Sequence, residues 1–543
     1  MDIYSSTLLF VTEILFLIFC YTRTLIYLRF FQQEEYDAKR FLNWIWSFKA
    51  FDKRGLLVLA VSLGIFFLTK SQVPALIPSL IVFAVFVFQQ SDPRKTGKIK
   101  LNMTARANRI FSIALVLNVI FYLALSLPCI SCHGETENYL QKILIFNILI
   151  LQFLPFSLIF ANLLLSPFEK YTKLKYKNEA KAILKKMNPY VIGITGSYGK
   201  TSVKSALGEV MNNALAPTFC PPKSINTEMG ITREIRENLK PNQKYAVIEM
   251  GAYNVGSIKR LCNLTPPQAG LVTVVGMAHL ERYGTLERIY QAKSELAQAL
   301  PQDGILVCNG DNEGARKMAS EYPKKITLLY GMKPELGKLD CIASNVSFSL
   351  EGTNFDLLWK DKKYSASTKL LGLPALSNLL GVFTMACTLG ADPEFVLATI
   401  RNIKPVDNRL SLSREGQVYF LRDAYNSNPL GFEAALDVLA QLPAARKILM
   451  TPGMVELGSM QYEENKKAAF QAAKCCDFVI LVGETNRKAL KDGLESGGFK
   501  AENLIICDTR TEAFTKLNTL MQNGDIVLIE NDLTDLYEMT DRF

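Results

Sequence analysis

The 543 residues predict a multi-span α-helical membrane domain followed by two mainly parallel α/β layers. Three observations carry this prediction. Apolar stretches of near-spanning length crowd the first third of the chain. Short apolar strands alternate with amphipathic helices over the rest. A glycine-rich turn, "GSYG" (Gly196–Gly199), followed by Lys200 and Thr201, stands at the first strand-to-helix crossing beyond the apolar region.

Hydrophobic residues make up 49% of the chain, which is high for a wholly water-exposed protein. They concentrate in five stretches, Ser5–Thr22, Gly55–Thr69, Val73–Phe88, Ile110–Ile130 and Leu140–Leu165. A buried core helix would explain any one of them. Five in a row, separated by charged loops, read as a membrane domain over residues 1–165. No small-residue cleavage site follows the first stretch, so it does not read as a removable signal peptide.

The formal net charge of +10 lies entirely before Tyr190. It falls in the loop holding Arg29, Lys39, Arg40, Lys49, Lys53 and Arg54, in "DPRKTGKIK" (Asp92–Lys100) and in "EKYTKLKYK" (Glu169–Lys177), whereas "CISCHGETEN" (Cys129–Asn138) has no Lys or Arg. The positive-inside tendency then predicts a multi-pass protein of a bacterial inner membrane, its N-terminus outside and everything after Leu165 cytoplasmic. The basic loops lack aromatic interleaving or a binding motif, which argues against nucleic acid as a partner. The eleven cysteines include no paired C-x-x-C units of the zinc-binding kind; Cys129 and Cys132 fall on the predicted outer side, as a disulfide or as free thiols.

A helical linker over 166–190, including "NEAKAILKKMNP" (Asn178–Pro189), leads into the alternating region. Strands are predicted at Tyr190–Thr195, Tyr245–Met250, Ala269–Val275, Gly304–Asn309, Val418–Arg422, Lys447–Thr451, Phe478–Val482, Leu504–Cys507 and Ile526–Glu530, with helices between most of them. The polar, proline-bearing "RNIKPVDNRL" (Arg401–Leu410) marks a junction, giving domains of 191–405 and 406–543. Ligand sites in such sheets lie at the carboxyl ends of strands.

The turn Gly196–Gly199 lies at such an end. Its amides and the start of the following helix converge on one point, where the helix dipole favours phosphate oxygens. Lys200 would neutralise the terminal phosphates and the Thr201 hydroxyl would hold Mg²⁺. Ile194 stands where the common G-x-x-x-x-G-K-[ST] loop has glycine. "YAVIEMGAYNVGSI" (Tyr245–Ile258) ends a strand on Glu249, where a carboxylate either binds Mg²⁺ or caps the strand. The chain has two histidines; His133 is predicted outside, which leaves His279 for cytoplasmic chemistry or for a structural role. Lys293, in a predicted helix, reads by itself as a solvated lysine.

Together these motifs resemble the Mur ligase family, ATP-dependent enzymes that join amino acids or short peptides to a carboxylate in peptidoglycan synthesis. The family's loop T-G-[TS]-x-G-K-[TS] is matched by Thr195, Gly196, Ser197, Tyr198, Gly199, Lys200 and Thr201, with Ser202 following, and this loop has no glycine at the Ile194 position. The branch that adds D-alanyl-D-alanine is the most similar, through "SINTEMGITREI" (Ser224–Ile235), "VIEMGA" (Val247–Ala252), "AHLERYGTLERIYQAKSEL" (Ala278–Leu296), "NGDNE" (Asn309–Glu313), "DAYNSNP" (Asp423–Pro429) and "GMVELG" (Gly453–Gly458). The resemblance covers Val191–Phe543 and implies a P-loop central domain plus a Rossmann-like C-terminal domain.

It also implies the chemistry. A carboxylate attacks the γ-phosphate of ATP to give an acyl phosphate, and an amine then displaces phosphate. Both steps gather anions, so charge neutralisation and positioning are what the protein must supply. By the resemblance, Lys200 and the loop hold phosphates, Thr201 and Glu249 a first Mg²⁺, and His279 with a carbamylated Lys293 a second. Arg409, Asp423 and Asn378 would meet ATP. Tyr425, Asn426 and Asn428 would meet the incoming amino acid or dipeptide, and Asn226 and Thr227 the muropeptide or other carboxylate.

Two departures stand out. "GLPALSN" (Gly372–Asn378) has Pro374 and Ala375 where the family has His-Asn near adenine, and a membrane domain occupies the place of the family's uridine-binding domain. Substrate recognition is then expected from a cell-wall synthesis partner protein, from basic loops such as Arg94–Lys100, or at a lipid-linked acceptor. Competing readings are a ligase or amidotransferase subunit for another carboxylate, a transport ATPase and a non-catalytic scaffold. The transport reading meets no L-S-G-G-Q signature and few ionisable groups beyond Glu13 in the spans.

Overall fold

The computed structural model describes residues 3–47, 50–96, 99–131, 139–252, 254–276, 283–405, 409–424 and 427–531. The chain forms two compact units, one up to Thr172 and one from Lys173 onward.

The first unit is helical: α1 (Ile3–Gln33), α2 (Ala38–Ser47), α3 (Lys53–Thr69), α4 (Gln72–Gln89), α5 (Ala105–Ser131) and the first part of α6 (Tyr139–Met187). Four helices among the described residues, at Tyr4–Gln33, Gln72–Gln89, Ala105–Leu125 and Leu140–Met187, are long and apolar enough to cross a membrane. The expected span at Gly55–Thr69 is the exception, because α3 has only 17 residues, about 25 Å of helix against roughly 30 Å of hydrocarbon. The fifth apolar stretch and the expected linker form one continuous helix, α6, with Pro155 and Pro167 inside it.

Several polar groups inside this unit pair with one another. Arg23 Nε lies 2.7 Å from Asp52 Oδ2 with both side chains buried, and Asp52 Oδ1 accepts from Gly55 N at 2.7 Å to cap α3. Ser62 and Ser79 join α3 to α4 through their hydroxyls at 2.6 Å. Asn147 Nδ2 donates to Glu13 Oε1 at 2.8 Å, joining α6 to α1.

The second unit holds two sheets. Its first domain contains β1 (Tyr190–Thr195), α7 (Lys200–Ala214), β2 (Thr218–Phe219), α8 (Glu228–Asn238), β3 (Tyr245–Glu249), α9 (Ser257–Leu264), β4 (Ala269–Val272), α10 (Leu286–Ala299), β5 (Ile305–Asn309), α11 (Glu313–Glu321) and β6 (Ile326–Gly331). It continues with β7 (Cys341–Ser349), β8 (Gly352–Trp359), β9 (Lys362–Thr368), α12 (Leu373–Thr388) and α13 (Pro393–Asn402). The nine strands run in the order β2-β3-β1-β4-β5-β6-β7-β8-β9. Pairing is parallel as far as β7, and β7, β8 and β9 close the edge as an antiparallel meander.

The second domain contains β10 (Ser411–Glu415), β11 (Val418–Asp423), α14 (Pro429–Gln441), β12 (Lys447–Thr451), α15 (Gln461–Cys475), β13 (Phe478–Val482), α16 (Arg487–Ser496), β14 (Leu504–Cys507), α17 (Arg510–Leu520) and β15 (Ile526–Glu530). The sheet order is β10-β11-β15-β12-β13-β14, with only β10 antiparallel. All nine predicted strands exist. The sequence reading missed β2, which is two residues long, β6, most of whose residues are only partly buried or exposed, the meander β7–β9 and the edge strand β10. β7 and β9 lie only partly buried, so they lack the continuous apolar run of a central parallel strand.

Candidate active site

The phosphate loop sits at the point where strand order reverses. β3 flanks β1 on one side and β4 on the other, so the loop leaving β1 lies over the crevice between two crossovers. Gly199 caps α7 with φ 81°, a left-handed conformation that glycine adopts without strain. A Cβ there would lie 2.4 Å from Asn378 Oδ1, so Asn378 abuts the loop directly. At Gly196 a Cβ would lie 1.8 Å from Thr273 Oγ1.

The chain running on from β4 braces this loop. Ser197 N donates to Val274 O at 2.5 Å, Gly276 N donates to Ser197 Oγ at 2.9 Å, and Thr273 Oγ1 donates to Tyr198 O at 2.6 Å. Thr195, fully buried, reaches Met250 O at 3.5 Å. Lys200 Nζ donates to Gly196 O at 2.7 Å and Ser197 O at 3.1 Å. Burial lowers the Lys200 pKa; Glu249 opposes the shift and Arg409 adds to it. Thr201 and Ser202 lie half-buried on the first turn of α7.

Glu249 ends β3 beside β1, in register with Ile194. It is 1% exposed. Its Oε1 accepts from Thr201 Oγ1 at 3.2 Å and from Asn226 Nδ2 at 2.9 Å. Its Oε2 lies 3.7 Å from Lys204 Nζ and accepts no hydrogen bond. An orphaned, buried carboxylate oxygen next to a hydroxyl and an amide is an oxygen donor set that fits Mg²⁺. Lys204 escaped the sequence reading, although it follows Lys200 by four residues and so shares its helix face. It is fully buried and also donates to Lys223 O.

His279 lies outside the described residues, and among the described residues no three His, Cys, Asp or Glu side chains cluster as a metal site. Lys293 is not a solvated lysine. It is 3% exposed on α10, and burial, with Lys200 adding, holds its pKa well below the ordinary lysine value. A neutral amine is the form able to take up carbon dioxide, so the site suits a carbamylated lysine.

Asn226 and Thr227 open α8. Thr227 Oγ1 caps the helix by accepting from Gly230 N at 3.2 Å, and Asn226 O accepts from Gly251 N at 3.1 Å. The late part of α6 packs on this helix: Ala180 and Leu184 bury with Ile231 and Ile235. Lys177 Nζ lies 2.6 Å from Glu228 Oε1, and Arg236 Nε 2.7 Å from Glu179 Oε2. The linker is therefore anchored to the helix that carries the expected carboxylate-substrate residues.

On the second sheet, Asp423 ends β11. Leu410 N donates to its Oδ1 at 3.2 Å. Burial pushes the Asp423 pKa up to about 6, against the opposing Leu410 bond and the Arg409 charge. Arg409 thus acts on both Lys200 and Asp423. Tyr425 and Asn426 lie outside the described residues. Asn428 caps α14, its Oδ1 accepting from Gly431 N at 3.0 Å. On α12, Ser377 Oγ accepts from Asn309 Nδ2 at 3.2 Å, while Pro374 is exposed and Ala375 half-buried. The structure thus brings Thr201, Glu249 and Asn226 into one hydrogen-bonded group, with the Glu249 charge bearing on Lys200.

Comparison with known proteins matches these two domains separately. The Mur ligase middle domain covers residues 194–386 and the Mur ligase glutamate ligase domain covers residues 408–530. The UDP-N-acetylmuramoyl-tripeptide--D-alanyl-D-alanine ligase of Escherichia coli strain K12 is 29% identical, over 66% of this chain and 77% of that protein. The enzyme of the same name from Mycobacterium tuberculosis H37Rv is 33% identical, over 63% of this chain and 70% of that one. Among solved structures, MurF ligase from Thermotoga maritima in complex with ADP aligns with a TM-score of 0.59 at 25% identity, covering 66% of this chain and 80% of that chain. MurF from Acinetobacter baumannii shares the fold at TM-score 0.60, with 24% identity over 68% of this chain and 79% of that chain. Loop, carboxylate and domain order agree with these matches: the chain belongs to the Mur ligase family.

Proposed function

We propose that this protein is an ATP-dependent, ADP-forming ligase that joins D-alanyl-D-alanine to the terminal carboxyl of a muramoyl-tripeptide precursor in peptidoglycan synthesis. The observation that carries the reading is the bonded group Thr201, Glu249 and Asn226 beside Lys200 and its loop at the switch point of β1. It stands in a chain whose relatives bear the name of that reaction.

In this reading the loop amides and Lys200 hold the ATP phosphates, and Thr201 with Glu249 holds Mg²⁺, which supplies further charge neutralisation when bound. Lys204 keeps Glu249 oriented. His279 and a carbamylated Lys293 serve a second Mg²⁺. Asn378 and Arg409 approach the nucleotide from α12 and from the second domain, with Asp423 beyond. Asn226 and Thr227 orient the acceptor carboxylate, and Tyr425, Asn426 and Asn428 the amine. The carboxylate takes the γ-phosphoryl group, the amine lone pair attacks the acyl carbon, and phosphate leaves with the bonding pair of the C–O bond.

The same reading includes multi-pass anchoring in the cytoplasmic membrane, supported by four apolar helices of spanning length. α3 decides the parity: if it spans, the N-terminus is outside. A reporter fused at the N-terminus checks this. Anchoring also favours an acceptor already attached to lipid, as an alternative to a UDP-linked one. The test is phosphate release by the full-length protein in detergent with ATP, Mg²⁺ and D-Ala-D-Ala, supplied with UDP-linked or lipid-linked muramoyl-tripeptide. Amine-dependent release with either acceptor supports the reading. Release with neither, but with another acid, transfers the chemistry to a different carboxylate; no amine-dependent release from any acid sinks it.

A further inference from the structure

β11 and β15 are parallel neighbours, and their register sets Asp423 beside Glu530 at the carboxyl edge of the second sheet. Glu530 is completely buried. Its Oε1 accepts from Ser427 Oγ, and its Oε2 has no hydrogen-bond partner. Among the described residues the charged neighbour that bears on it is Asp423, and both burial and this carboxylate disfavour its ionised form. On the neighbouring strand β12, Thr451 at this edge is uncharged. Arg409 acts on Asp423.

Two desolvated carboxyls side by side do not both ionise at low cost; one proton held between them removes the repulsion. That proton also gives the orphaned Oε2 a donor role toward Asp423. The arrangement reaches the amine-side loop through Ser427, whose N donates to Asn531 Oδ1 at 3.4 Å, while Asn531 Nδ2 donates to Gly453 O. Asn531 N donates to Asp423 O at 3.0 Å. Glu530 and Asn531 therefore tie together the end of β11, the segment before α14 and the turn after β12.

We propose that Asp423 and Glu530 share one proton, and that Glu530, acting through Asp423 and Ser427, is a positioning residue for the loop that receives the incoming amine. The inference rests on the ligase reading for its kinetic readout but not for its spectroscopic one. When the pair holds its proton it carries a single negative charge, the complement of an ammonium group, and Ser427 stays bonded. When rising pH removes that proton, a second buried charge appears without a partner and its repulsion of Asp423 disturbs the end of β11.

The test compares the full-length protein with Glu530→Gln and Glu530→Ala. Glutamine keeps the shape and both bonding roles but cannot ionise. The expected result is that KM for D-Ala-D-Ala is low near pH 7, where the pair holds one proton, and rises in the parent by about tenfold at higher pH as the raised Glu530 carboxyl ionises, while KM for ATP stays level. Glu530→Gln should hold a low, pH-independent amine KM, and Glu530→Ala a high one at all pH. Independently of activity, infrared difference spectra at pH 7 should give the parent a protonated-carboxyl C=O band that Glu530→Gln lacks. An amine KM whose pH dependence is the same in parent and Glu530→Gln overturns the positioning role. Absence of the parent-specific carboxyl band overturns the shared proton even if no ligase activity is found.

Discussion

The two sheet edges of the second unit are built alike and charged oppositely. Each places a loop at the carboxyl end of a parallel strand, beside a neighbour reached by a crossover. At the first edge two lysines, Lys200 and Lys204, bear on one carboxylate, Glu249, and a buried Lys293 lies within reach of the Lys200 charge. At the second, two carboxyls, Asp423 and Glu530, stand side by side, and Arg409 bears on Asp423. Strand order fixes where a ligand goes, and in the proposed reading side-chain charge decides which ligand: a polyanion at the first edge and a cationic amine at the second. Arg409, which bears on Lys200 and on Asp423, belongs electrically to both.

The largest expected effect breaks the cationic edge. Lys200→Ala should lower ATP-dependent phosphate release by about 10²–10³-fold, since it removes charge where charge develops; steady-state kinetics on the folded variant measures it. Next, Lys204→Met should cost about 3 kcal/mol of stability, because it leaves the buried Glu249 carboxylate without its cation. Chemical denaturation checks that value, and Lys204→Met with Glu249→Gln should recover most of the loss.

The acidic edge responds to pH instead. The Asp423 pKa, raised to about 6 from an ordinary value of 3.8, lies above its unfolded value. Its stabilising contribution is therefore complete below the unfolded value and lost as pH rises through 6. Asp423→Asn should accordingly gain on the parent between pH 4 and 6, by roughly 3 kcal/mol, in denaturation curves taken across that range. The smallest effect is structural. Thr227→Ala removes the cap of α8 and should cost about 1 kcal/mol, with a matching rise in KM for the carboxylate substrate and none for the amine.

Much of this was legible in the residues themselves. The strand at Tyr190–Thr195, the loop after it and Glu249 at the end of β3 were readable because apolar runs, glycine turns and a terminal carboxylate are local signals. The meander β7–β9 was not, since its half-exposed residues carry no continuous apolar run. The span at Gly55–Thr69 was read from composition, but helix length depends on where Asp52 caps α3 and where Lys70 ends it in a left-handed turn. Glu530 was invisible as a site residue because its meaning comes from its neighbour across the sheet, 107 positions away in sequence. Lys293 was misleading in the other direction: a helical lysine reads as solvated, and only the packing of α10 against β1 and its neighbours makes it buried.

The central claim, that a carboxylate is activated by phosphoryl transfer before the amine attacks, is tested most directly by isotope transfer. Muramoyl-tripeptide labelled with ¹⁸O in its terminal carboxyl is incubated with the full-length protein, ATP, Mg²⁺ and D-Ala-D-Ala, and the released phosphate is analysed by mass spectrometry. The account predicts one ¹⁸O in each phosphate released, with release dependent on the amine. Unlabelled phosphate, released at the same rate with and without the amine, would contradict it.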